Sequence, residues 1–144
     1  MAEFDHILVP IDGSEGSLRA ARFAARLSTA LDSPIKLAYV VAMSPESVMS
    51  LSHLDKPEVE RIQQERARTV IESARQALGK AADRAEDVIL SGDPAEEILH
   101  YISKNPKALI VMGRRGLSPV KSLLLGSVSE RVMRHAESVV TLVN

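Results

Sequence analysis

The segment F-D-H-I-L-V-P-I, Phe4–Ile11, constrains this chain more than any other. Ile7, Val9 and Ile11 fall on one face of an extended strand, and Leu8 and Pro10 on the other. A strand apolar on both faces must be covered on both, which is the environment of a parallel sheet. The rest of the chain has the same alternating order. Ser14 can cap a helix over Glu15–Leu31, stopped by Asp32-Ser33-Pro34, and Ile35–Val41 reads as a second strand. Ala42–Lys56 is polar and irregular. It reads either as a surface connection or as a mobile lid beside a site. Pro57 suits the first turn of a long helix reaching about Ala82. Asp87–Ser91 is a short third strand. Asp93-Pro94 opens a helix with an apolar stripe at Ala95, Ile98, Leu99 and Ile102. Ala108–Met112 is a fourth strand, Gly113–Leu125 a loop, Ser127–His135 a helix and Val139–Val143 a fifth strand.

Strands alternating with helices predict an α/β fold with a parallel sheet covered by helices on both faces. Right-handed crossovers allow the order 3-2-1-4-5 in an open five-stranded sheet. With 144 residues and no linker, one domain over 1–144 is expected. Eighteen basic and nineteen acidic residues argue against a broad nucleic-acid footprint. Two Phe, two Tyr and no Trp argue against base stacking on aromatics. The absence of cysteine excludes disulfides, thiolate catalysis and Cys-held metal sites. The start lacks the basic region of a secretory signal, and no apolar run approaches the ~18 residues of a membrane span. A soluble, cytoplasmic protein that does not insert into membranes is expected.

In an open α/β sheet, ligands bind at the C-terminal strand ends where the winding reverses, here between strands one and four. Two loops flank that crevice, Asp12-Gly13-Ser14 and Gly113-Arg114-Arg115-Gly116. Pro10 either bends the strand over the crevice or is a tolerated terminal proline. Asp12 either caps the turn, accepts from a ribose hydroxyl, or holds a metal through water. The second loop has the spacing Gly113-x2-Gly116-x9-Gly126-Ser127. Glycines admit a ligand close to the backbone, and the helix starting at Ser127 offers free N–H groups to an anion. Ser127 and Ser129 add hydroxyls, and Arg115 can make a charge-assisted contact with phosphate. Arg114 is expected to face solvent. The loop is not a Walker A motif. The one Gly-Lys pair, Gly79-Lys80, has Ala74 where the first glycine should be. No G-x-G-x-x-G follows a strand.

These residues resemble the universal stress protein family, in its nucleotide-binding branch, over essentially the whole chain. The resemblance rests on I-L-V-P-I-D-G-S (Ile7–Ser14), Gly92-Asp93-Pro94, the glycine spacing above and L-L-L-G-S-V-S-E-R-V (Leu123–Val132). It implies a Rossmann-like fold of the adenine nucleotide alpha hydrolase type. It also implies a bound adenine nucleotide, ATP or AMP, with Mg²⁺ on its phosphates or held by Asp12 through water. Pro10 and Asp12 would line the nucleotide, and Val40 would meet the adenine. Met112, Gly113, Arg115 and Gly116 would wrap the ribose and phosphates. Gly126, Ser127, Val128 and Ser129 would bind phosphate. A homodimer through Val139–Val143 is also implied, although Val139 stands where the family commonly has proline.

Two functions follow as expectations. One is a stress-response module that binds nucleotide and signals its state to a regulatory protein partner. The other is a slow ATP hydrolase or phosphotransferase, with Asp12 as the one acidic candidate. His6, His53, His100 and His135 are scattered, which favours the first.

Overall fold

The computed structural model describes residues 3–42, 52–117 and 124–144. Strands β1 (His6–Ile11), β2 (Ile35–Ala42), β3 (Glu86–Gly92), β4 (Ala108–Gly113) and β5 (Val140–Val143) form one parallel sheet in the order β3-β2-β1-β4-β5. The helices are α1 (Glu15–Leu31), α2 (Lys56–Leu78), α3 (Pro94–Lys104) and α4 (Ser127–His135). This is the expected fold class and strand order.

The period of β1 separates two cores. Ile7, Val9 and Ile11 point to one side, where they pack with Leu37, Val111 and the small residues Ala20, Ala21 and Ala24 of α1. Leu8 points to the other side, with Ile110, Met112, Ile98 and Ile102 of α3, and Val132 of α4. All six residues of β1 and of β4 are buried. Each large aliphatic side chain enclosed there contributes about 1.5–3 kcal/mol. The outer strand β3 instead alternates, with Val88 and Leu90 half-buried and Ile89 53% exposed.

Several boundaries differ from expectation. The first strand begins at His6, because the backbone from Glu3 to Asp5 bends before the ladder starts. The second and third strands run further, to Ala42 and over Glu86–Gly92, because they pair with each other through Ala42↔Gly92. The long helix ends at Leu78 rather than near Ala82. Gly79 adopts φ +61, and Gly79–Arg84 continues as a 3₁₀ helix. Ala81 and Ala82 still pack on the core, which is why their spacing imitates a continued α-helix. The fifth strand begins at Val140. Val139 gives its carbonyl to the Ile110 N–H but is itself 53% exposed. The connection Ala42–Lys56 lies largely outside the described residues, as do 118–123 of the Gly113–Leu125 loop.

No described helix is long and apolar enough to cross a membrane.

Candidate functional site

Because β1 and β4 are adjacent and their following helices lie on opposite faces, the chain parts above their C-terminal ends. A cavity of about 460 Å³ occupies that gap. Every candidate residue named from the sequence lines it. Pro10 and Asp12 come from the end of β1 and the turn after it, and Val40 from β2. Met112 and Gly113 come from β4, Arg115 and Gly116 from the loop that follows. Gly126, Ser127, Val128 and Ser129 form the start of α4.

The first loop is fixed by its own side chains. Asp12 Oδ1 accepts the Ser14 N–H at 2.9 Å, so the carboxylate does hold the turn. Ser14 Oγ accepts the Ser17 N–H at 3.1 Å, and Ser17 Oγ donates to the Ser14 carbonyl at 3.0 Å. The start of α1 is therefore satisfied by the chain itself. The remaining Asp12 oxygen, Oδ2, lies beside Gly116, at the spot a Cβ on Gly116 would fill. Asp12 thus ties its own turn with one oxygen and faces the glycine loop with the other.

The second loop depends on close backbone approach. A Cβ on Gly113 would stand 2.7 Å from the carbonyl carbon of Gly16 in α1, and one on Gly16 would collide with the Arg115 carbonyl. The two loops can nest only because both positions lack a side chain. The return to α4 is pinned by the Gly126 N–H, which donates to the Arg114 carbonyl at 2.9 Å, and by Ser129 Oγ, which donates to the Gly113 carbonyl at 2.7 Å.

The start of α4 differs from the other three. Ser14, Asp55 and Asp93 cap α1, α2 and α3 through their side chains. Gly126 caps α4 with no side chain at all. The first-turn N–H groups and the positive end of the helix dipole therefore face the cavity with no oxygen of their own cap. Such a terminus suits a phosphate or carboxylate.

Other residues in the lining were not anticipated. Ser17, Tyr39, Ile98, Gln63 and Arg66 all contribute. The last two come from α2, and no local pattern marks them, because only the crossing of α2 over β2 brings them to the cavity. Pro94 also lines it, so of Gly92-Asp93-Pro94 the proline reaches the site wall while Asp93 caps α3. Arg114 is half-buried rather than solvent-facing. Its Nη1 donates to the Leu124 carbonyl at 2.6 Å and its N–H to the Val143 carbonyl at 2.8 Å.

No histidine is among the described residues of the lining. His6 is buried at the opposite end of the sheet, where its Nε2 lies 3.0 Å from the Tyr101 hydroxyl. Burial, helped by the Lys36 charge, holds its pKa below the ordinary 6.5. His53, His100 and His135 are exposed. Among the described residues, no group of three or more His, Asp or Glu side chains is arranged to hold a metal. A cation accompanying a polyphosphate would find one carboxylate among the described lining residues, Asp12, which fits Mg²⁺ held mainly by phosphate and water.

Comparison with known proteins identifies the family and matches the fold. Residues 3–144 match the model of the universal stress protein family. A Thermus aquaticus universal stress protein, encoded 3′ of a QAH/OAS sulfhydrylase, is 33% identical over 141 residues, covering 97% of this chain and 98% of the relative. The universal stress protein UspA from Lactobacillus plantarum shares the fold over 100% of both chains, with a TM-score of 0.81 and 24% identity. A universal stress protein solved in complex with cAMP aligns over 99% of both chains, with a TM-score of 0.75 and 23% identity. By its sequence, its sheet order and the match over nearly its whole length, the chain belongs to the universal stress protein family.

Proposed function

We propose that this protein binds an adenine nucleotide, ATP or AMP, in the cavity above β1 and β4, and acts as a regulatory module. The observation that carries the reading is the uncapped start of α4 opening into a cavity of about 460 Å³. That volume is in the range of small-molecule sites. The cAMP-bound relative of the same fold supports an adenine ligand. Val40 and Met112 offer aliphatic walls for the base, and Asp12 Oδ2 an acceptor for a ribose hydroxyl. Gly126, Ser127, Val128 and Ser129 offer donors for phosphate, and Arg115 a charge. Charged hydrogen bonds are each worth about 1.5–3 kcal/mol, so a few of them support micromolar affinity, about −8 kcal/mol. Mg²⁺, where present, would enter on the phosphates, with Asp12 reaching it through water.

On this reading the chain works as one unit over 1–144 in the cytoplasm, as a homodimer through Val139–Val143, and signals nucleotide state to a protein partner. The dimer is supported by the outer edge of β5, whose strand pairs, among the described residues, with β4 alone and whose residues are half-buried. An unpaired strand edge invites a second strand. The second reading, slow ATP hydrolysis or phosphoryl transfer, is favoured by one observation, the presence of Asp12 in the lining.

The test is to extract and identify the nucleotide carried by purified protein, then titrate ATP and AMP calorimetrically. Saturable binding of either supports the reading, and absence of both overturns it. Phosphate release that vanishes in Asp12→Ala would move the function to the second reading.

A further inference from the structure

Helix α2 is longer than the sheet it crosses. It has 23 residues, against at most eight in any strand. A helix joining parallel strands runs back against their direction, so α2 begins at the open end of the sheet. Its level is fixed by Val70, whose Cγ2 lies 3.3 Å from the place of a Cβ on Gly13, in the turn after β1. The stretch from Lys56 to Thr69 therefore projects past the strand ends, by about 20 Å at the helical rise per residue. The first buried residue of α2 is Ala67, so packing on the core does not account for this length.

Gln63 and Arg66 lie one turn apart on the projecting stretch, and both line the main cavity. Arg66 precedes Val70 by one turn, about 6 Å along the axis, and helical side chains lean toward the N-terminus. It thus enters the cavity above the turn that holds Asp12. Two faces of the sheet meet here. Val70 and Ile71 of α2 pack on the core built around Ile7 and Val9, whereas Val128 and Val132 of α4 pack on the core built around Leu8. Arg66 and the start of α4 therefore approach from opposite faces, with the end of β1 between them. Among the described residues of the lining, the charged ones are Asp12, Arg66 and Arg115.

We propose that Arg66 is a specificity-determining residue of this cavity, reading a second phosphate on the ribose of the ligand. The ligand class is then an adenosine bisphosphate, with one phosphate on the 5′ carbon and one on the 2′ or 3′ oxygen. The inference rests on the nucleotide reading above, which puts the first phosphate at α4 and the ribose at Asp12. The ribose end is then the end nearest Arg66. A guanidinium fork can give two N–H groups to a phosphate. The Asp12 carboxylate would repel the same phosphate, so Arg66 decides whether it is favoured or rejected.

Calorimetry at constant ionic strength tests this. AMP, adenosine 2′,5′-bisphosphate and adenosine 3′,5′-bisphosphate are titrated into the full chain and into Arg66→Gln and Arg66→Lys. In the wild type at least one bisphosphate should bind about tenfold tighter than AMP, the value of one charged hydrogen bond. In Arg66→Gln the ratio of the two affinities should fall to about one or below, because Asp12 alone then faces the second phosphate. Arg66→Lys keeps the charge and loses the fork, and its ratio should fall between. Arg66 is exposed, so both variants should melt with the wild type. Wild-type binding of AMP with no gain from either bisphosphate overturns the proposal and leaves the nucleotide reading intact. A gain that survives in Arg66→Gln also overturns it. Binding of none of the three ligands removes both readings.

Discussion

The two ends of the sheet are built from the same strands and do opposite things. At the N-terminal end the gaps are closed. The Ile7 N–H donates to the Pro34 carbonyl, the Asp5 N–H to the Lys107 carbonyl, and His6 meets Tyr101 edge to face with ring centroids 5.8 Å apart. At the C-terminal end, the turn after β1 and the loop after β4 nest through Gly16 and Gly113 and leave a cavity between them. Polar groups at the closed end find partners within the chain. At the open end, among the described residues, the start of α4 has no side-chain cap. An end that satisfies itself contributes stability, and an end that leaves donors unmet is available for a ligand.

The largest expected effect belongs to the closed side. Leu8 is fully buried, and Leu8→Ala should lower unfolding free energy by about 2–5 kcal/mol in denaturant melts. The affinity of the molecules that remain folded for nucleotide should not change. A large change in that affinity would mean that the two ends are not separable.

Next is Gly113→Ala, whose added methyl must displace the Gly16 backbone. It should lower stability by about 1–3 kcal/mol and also abolish nucleotide binding, because the glycine loop moves with it. Retained binding would show that the nesting of the two loops is not needed for the site.

Tyr101→Phe removes the hydroxyl that meets His6 and should lower stability by about 1 kcal/mol without touching binding. The burial of His6, with the Lys36 charge beside it, sets a pH dependence. The folded-state pKa of His6 lies below its unfolded value near 6.5, so the unfolded chain takes up the proton first. This contribution is complete above pH 6.5 and is lost as pH falls through the folded-state pKa. Urea melts between pH 7.5 and lower values, about 5, should show that loss, and His6→Gln should flatten it.

Smallest is Arg131→Ala. Arg131 Nη1 lies 3.1 Å from Asp93, linking α4 to the cap of α3, but both side chains are more than two-fifths exposed. Exposed pairs contribute about 0–1 kcal/mol, so thermal melts should shift little.

How much of this was legible in sequence varied along the same axis. The order of elements followed from local signals, since the apolar runs of β1 and β4 and the caps Ser14 and Asp93 each act over a few residues. The glycine loop and the start of α4 were legible for the same reason. Glycine spacing and a following helix are local facts. Gln63 and Arg66 were not, because their approach to the cavity depends on how α2 crosses the sheet. The end of α2 was misjudged because Ala81 and Ala82 pack on the core from a 3₁₀ helix with nearly the spacing of an α-helix. The fixed position of Arg114 depends on β5 and Leu124, which local sequence does not bring to it.

The central claim is that the uncapped start of α4 receives the phosphate of a bound nucleotide. Gly126→Asp tests it most directly. The backbone there has φ −72, and an added Cβ would meet its nearest neighbours at 3.4 Å, so an aspartate fits with slight adjustment. It would give α4 the kind of cap that Asp55 and Asp93 give α2 and α3, changing stability by only about a few tenths of a kcal/mol. It would also set a carboxylate where the phosphate should lie. Titration of ATP into both proteins should show saturable binding to the wild type and affinity at least about tenfold weaker in Gly126→Asp, with melting temperature preserved. Equal affinity in the two proteins would contradict the account.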